Sequence, residues 1–108
     1  MNKIKKRISE NIRQEIENNP IDNWHGITSD NIESHLISPV FETYCDPMDE
    51  KVTYSYWTIL EEFPGDKSGY TIFFDPAENE FGLGMHSKSD QMIFLGIYGS
   101  FIEVLNGM

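Results

Sequence analysis

An α+β fold follows from three observations on these 108 residues. One segment of helical period opens the chain, five segments of strand-like alternation follow from Val40 onward, and the connections between those segments are short. The expected architecture is an antiparallel β-sheet meander of four to five strands with an N-terminal helix and short additional helices, in a single domain over residues 1–108. The acidic composition does not point to disorder, because seven Phe, five Tyr and two Trp stand in ordered patterns.

Ile4, Ile8, Ile12 and Ile16 recur every fourth residue among Lys, Arg, Glu and Gln, which predicts a helix over about residues 2 to 18. Asn18, Asn19 and Pro20 end it, since Pro20 cannot continue the ladder and disfavours helical geometry at Asn19. Thr28, Ser29 and Asp30 offer capping oxygens, and Asp30 with Glu33 approximates a capping box. A short second helix is therefore expected over Asn31 to Ile37, closed by Pro39.

Strands are expected at Val40–Cys45, Val52–Glu62, Tyr70–Asp75, Glu80–Met85 and Met92–Tyr98, all rich in β-branched and aromatic residues. Between them stand Asp46-Pro47-Met48-Asp49, Pro64-Gly65-Asp66, Asp75-Pro76-Ala77-Glu78-Asn79 and Ser87-Lys88-Ser89-Asp90, all turn-forming. Parallel return between consecutive strands needs a crossover of about a dozen residues, so consecutive strands pair antiparallel. Gly82, Gly84 and Gly96 lie inside strands and mark bulges or places where a helix approaches the sheet closely. Ser100 and Glu103 form a capping box for a last helix over about 101 to 106. One sheet face is expected to pack under the first helix, and the other to be covered by the remaining helices or left as an aromatic surface with Trp57, Phe73 or Tyr98.

Charge is distributed unevenly along this chain. Residues 1–13 hold Lys3, Lys5, Lys6, Arg7 and Arg13 against one acid, Glu10. The other 95 residues hold three bases, Lys51, Lys67 and Lys88, against seventeen acids, a net of −14 in a chain of formal charge −10. Such a body attracts cationic partners and repels nucleic acid and anionic membrane, and the basic helix is expected to lie across it. One cysteine, Cys45, makes no internal disulfide, and no apolar run approaches the roughly 18 residues of a membrane span, so a soluble, cytoplasmic protein is expected.

No reaction is written in the motifs. His25, His35, His86 and Cys45 lack metal-ligand spacing, Asp75, Glu78 and Glu80 lack the pattern of a calcium loop, and no cofactor or metal is expected. The paired carboxylates Glu61-Glu62 and Asp49-Glu50 fall at strand ends and turns, where solvent keeps both members ionised. Left over is a binding surface of turn and strand-end acids: Asp46, Asp49, Glu50, Glu61, Glu62, Asp66, Asp75, Glu78 and Glu80, with Trp57 and Tyr98 as aromatic contacts. Two other readings stay open, a small enzyme or ligand-binding domain using Cys45 with His25 or His86, and an adaptor that dimerises through a sheet edge.

The stretch Gly69-Tyr70-Thr71-Ile72-Phe73-Phe74-Asp75-Pro76-Ala77-Glu78-Asn79-Glu80-Phe81-Gly82-Leu83-Gly84, followed by Ile93-Phe94-Leu95-Gly96-Ile97-Tyr98-Gly99-Ser100-Phe101, resembles small bacterial immunity proteins. These accompany polymorphic toxins such as those of contact-dependent growth inhibition systems. The resemblance covers roughly the C-terminal half and implies a non-enzymatic inhibitor of a cognate toxin, whose active-site cleft or substrate entrance it blocks. A cationic nuclease is the toxin that the acidity fits.

Overall fold

The computed structural model describes residues 2–19, 21, 26–28, 30–49, 51–66, 68–87 and 91–106. In chain order these form helix α1 (Asn2–Asn18), a 3-10 turn (Ile32–Ser34), strands β1 (Leu36–Cys45), β2 (Thr53–Glu61), β3 (Tyr70–Asp75), β4 (Glu80–His86) and β5 (Met92–Gly99), and helix α2 (Phe101–Asn106). The α+β meander expected from the sequence is present, with five strands in the order β1-β2-β3-β4-β5. Each consecutive pair is antiparallel. The sheet then rolls up, and β1 meets β5 in parallel through Tyr44 with Met92 and Cys45 with Ile93, which closes a barrel.

Small residues permit the closure. A Cβ on Gly84 would meet the Tyr44 ring and stand 2.9 Å from the Ile93 carbonyl oxygen. A Cβ on Gly82 would meet the Phe73 ring and stand 2.5 Å from the Gly96 carbonyl oxygen. The close approach expected at these glycines is therefore real, but the approaching groups are rings inside the barrel and neighbouring backbone, not a helix. Bulges were the other expectation, and register shifts do fall beside both glycines, between Phe81 and Gly82 and between Leu83 and Gly84. Bulges of this kind bend a strand and increase its twist.

Inside the barrel Tyr44, Tyr56, Phe73 and Met92 form one apolar cluster, with Tyr54 and Phe94 packed against it. Phe73 and Tyr56 stack at 4.3 Å between ring centres, and Phe73 is wholly buried. It is no part of an exposed aromatic face, and the second face of the sheet is neither covered by helices nor open, because the barrel encloses it. The buried hydroxyls of Thr58 and Thr71 bond the Tyr44 hydroxyl at 2.5 and 3.2 Å. Thr58 spends its proton on Glu42 Oε2 at 3.0 Å, so Tyr44 donates to Thr58 and Thr71 donates to Tyr44.

Both helices pack on the outer face. Ile8 and Ile12 of α1 and Phe101, Ile102, Val104 and Leu105 of α2 share a core cluster with Ile72, Phe74, Phe81 and Leu83. The side-chain amide of Asn19 donates to the Glu15 carbonyl at 3.1 Å where α1 ends, as its sequence led one to expect. Two side chains of α1, Arg7 and Glu15, tie it to the rest of the fold. Arg7 donates to Asn79 Oδ1 at 2.7 Å and lies over the Phe74 ring, and the Glu15 carboxylate accepts the backbone N–H groups of Phe101 and Ile102, both at 3.1 Å. Ser100 and Glu103 exchange the two bonds of the expected capping box at 3.2 and 3.1 Å. Bases of α1 make no ion pair with acids of the body among the described residues; where Arg7 reaches the body it bonds an amide.

The second helix is corrected. Only Ile32–Ser34 coil, as 3-10, and β1 starts at Leu36, where the end of β2 supplies a partner strand. The Asp30–Glu33 box is replaced by Thr28 and Asn31: Thr28 N–H donates to Asn31 Oδ1 at 2.7 Å, and Thr28 Oγ1 accepts from Asp30 N–H. Pro39 stands inside β1 at a register shift, ahead of Tyr44 and Cys45 where β1 joins β5, so one side of its backbone has no ladder to join.

Gly84→Ala is expected to cost about 1–3 kcal/mol through overpacking. Gly96→Ala, whose Cβ would meet nothing nearer than the Tyr98 ring at 3.7 Å, should cost clearly less in the same urea titration. Glu15→Ala is expected to lose about 1–2 kcal/mol by uncapping α2 at its first two N–H groups. An unchanged denaturation midpoint would show that α2 does not depend on α1.

Candidate functional site

The alternation of strand direction sorts the predicted acids into two groups. The β1–β2 and β3–β4 turns share one end of the barrel and carry Asp46, Asp49, Asp75, Glu78 and Glu80. The β2–β3 turn lies at the opposite end with Glu61, Glu62 and Asp66. Glu50 and His25 lie outside the described residues.

Most of these carboxylates hold their own turns in shape. Asp46 Oδ1 accepts the N–H groups of Met48 and Asp49, and its Oδ2 accepts the Tyr54 hydroxyl at 3.0 Å. Asp49 accepts Lys51 N–H at 3.0 Å, Asp75 accepts Ala77 N–H at 2.9 Å, and Asp66 accepts the Ser68 hydroxyl at 3.0 Å. Glu62 accepts Tyr70 N–H at 3.0 Å. Glu78 is exposed and Glu80 half-buried. The Met48 N–H and then the Tyr54 hydroxyl hold the Asp46 carboxyl below its ordinary 3.8, and the same bond, with burial second, pushes the Tyr54 phenol up from 10.0. Burial, then the charge of Asp75, raises Tyr56. The first end of the barrel therefore presents an aromatic plug, Tyr54 and Tyr56 stacked at 6.1 Å, with Asp46 and Asp75 acting on its hydroxyls.

At the other end two histidines bracket the Glu61-Glu62 pair. His86 Nε2 meets Glu61 Oε2 at 2.9 Å, and His35 Nδ1 lies 2.9 Å from the Glu62 carbonyl and 3.3 Å from that of Glu61. Two carbonyls can only accept, so His35 carries its proton on Nδ1. Cys45 is buried at the end of β1, and neither described histidine comes within hydrogen-bonding reach of its thiol. No cluster of three or more metal-ligating side chains occurs among the described residues. No helix there is long and apolar enough to cross a membrane.

The two predicted aromatics do not join the acids. Tyr98 packs against the helix-side core. Trp57 stands half-buried on the outer face of β2, directly across from Phe41 of β1, their ring centres 5.2 Å apart. Phe41 is 57% exposed, and sequence reading did not single it out. Its signal was cross-strand register, which the sequence alone does not reveal.

Two residues along each strand from this pair, Pro39 and Ile59 enter the lining of a groove between α1 and β1, about 340 Å³ in volume. Ile8, Ile12 and Ile16 form one wall, and Leu36, Ile37, Pro39 and Ile59 the other. Arg13, Glu17 and Glu33 stand exposed at its edge.

No family model matches the chain, and no curated protein or solved structure matches it either.

The phenol environments give a direct test. Of the five tyrosines, Tyr44, Tyr54 and Tyr56 are expected to ionise above the ordinary 10.0, Tyr44 latest, because burial disfavours its phenolate most. A phenol raised in the fold stabilises it below pH 10.0, and that contribution is lost as pH climbs through the folded value. For Asp46 the sign is opposite: its contribution is present above about pH 3.8 and fades as pH falls further. Tyrosinate absorbance should show the late group, and Asp46→Asn should return one phenol, that of Tyr54, toward 10.0 while two stay late.

Proposed function

We propose that this chain is an immunity protein, acting in the cytoplasm without cofactor or catalysis, that binds a cognate toxin and blocks its active-site cleft. A cationic nuclease is the toxin its charge fits. The observation that carries the reading is the placement of acid on a body of net −14: carboxylates at both ends of a closed barrel, most of them fixed by turn hydrogen bonds. Fixed carboxylates lose little side-chain freedom when they meet guanidinium or ammonium groups, and a field of one sign speeds the encounter. The exposed Phe41 beside Trp57 adds aromatic surface of the kind that anchors protein interfaces. The resemblance of residues 69–84 and 93–101 to small immunity proteins is the second support.

Co-expression with the product of the adjacent upstream open reading frame tests the reading. That product is expected to arrest growth alone, to be harmless with this chain, and to co-purify with it; a product harmless by itself, or one that does not bind, sinks the proposal. Association should also be salt-dependent, because the Debye length falls from about 30 Å at 0.01 M to about 8 Å at 0.15 M. The on-rate is expected to drop by about tenfold over that range. Asp75→Asn with Glu78→Gln and Glu80→Gln should lower the low-salt on-rate and flatten its salt dependence.

A further inference from the structure

We propose that the groove between α1 and β1 is an anchor pocket for a side chain with an apolar stem and a cationic head, presented by a basic protein partner. This rests on the binding reading above and names the chemistry of its contact. Ile12 and Ile16 of α1 line the groove together with Ile37 and Ile59, so an apolar stem that enters it leaves water for apolar surface. Its volume of about 340 Å³ is at the low end for ligand pockets, enough for one or two side chains and too little for a whole helix.

Charge selects the occupant. Glu17, Glu33 and Arg13 all line the groove and are exposed, and no ion pair joins them among the described residues. Two carboxylates against one guanidinium leave the lining one charge negative, on a helix whose other bases, Lys3, Lys5, Lys6 and Arg7, lie toward its start. Lysine and arginine lay their methylene stems along apolar surface and keep the charged head at a polar edge, which is the pattern this groove offers. The Phe41–Trp57 pair continues the surface outward from Pro39 and Ile59, so a second cation of the same partner has ring faces to settle on. A partner anchored here would touch α1 and the start of β1, elements that the acidic turns do not include.

The pocket can be tested without a toxin. Titrations of the intact chain with n-hexylammonium, n-hexanol and n-hexanoate, followed by amide-resolved NMR, should give saturable shifts over residues 8–17 and 36–39 and at Ile59. Hexylammonium is expected to bind best, by a factor of about three or more over hexanoate. Glu17→Gln with Glu33→Gln should erase that preference while leaving hexanol affinity unchanged. Ile37→Lys places a cation of the chain's own in the half-buried wall and should abolish hexylammonium binding with the remaining spectrum intact. Equal or tighter binding of hexanoate, shifts elsewhere on the surface, or no saturable shift up to the solubility limit would overturn the pocket. Those outcomes leave the acidic-turn reading standing, whereas a failed co-expression test removes the toxin and leaves any measured amine binding in place.

Discussion

The ring of Tyr44 occupies the space that a side chain on Gly84 would fill, and the rest of the structure depends on that contact. A five-stranded barrel has a narrow interior, which cannot take a full side chain from every inward position. Here Tyr44, Tyr56 and Phe73 supply the bulk, while Gly82 and Gly84 supply the space. Closing β1 onto β5 fixes where β5 runs, and β5 leads through Ser100 into α2. The first N–H groups of α2 hold Glu15, and Glu15 holds α1. Loosening the Tyr44–Gly84 contact would therefore be felt in order at the barrel seam, at α2 and at the helix that walls the groove.

Polar groups inside such a barrel must be satisfied by one another, since burial without a partner costs about 1–3 kcal/mol. The Thr71, Tyr44, Thr58, Glu42 chain does this with one proton per link, ending on a carboxylate that accepts without donating. It leaves the buried hydroxyls spoken for, which suits a structural strut better than a reactive centre. The surface acids follow a related logic. Asp46, Asp49 and Asp75 accept turn N–H groups, so the same carboxylates that make the body negative also define its turns. Self-repulsion is the cost of so uneven a charge. Local bonds at each turn offset part of it.

Much of this architecture was legible in sequence, and the misses have one cause. The bounds of α1, β3 and α2 follow from periodicity and capping within a few residues of each element, and the structure agrees. Ser100 with Glu103 is legible because both partners lie in the same turn. Contacts between distant residues are not legible: β1 extending back through Pro39, the parallel seam, Glu15 on α2 and Phe41 opposite Trp57 all depend on which strand or helix arrives alongside. Acid at the turns could be read directly. Its division between two ends, and the use of Asp46 and Asp75 against Tyr54 and Tyr56, required the fold.

That separation bears on how such a surface would work under the proposed function. Charges at the barrel ends act over a Debye length, so their influence falls on encounter and on the rate of association. An apolar groove acts only on contact, and what it holds must leave before the complex can part, so its influence falls on dissociation. The two devices stand on different elements: the end acids on hydrogen-bonded turns, the groove between α1 and the start of β1. Substitutions on one should then change its own rate constant with little effect on the other, because sites without shared partners add nearly independently. Arg7 and Glu15 are the exceptions, since they set the position of α1 and so reach the groove through the helix without touching what it binds.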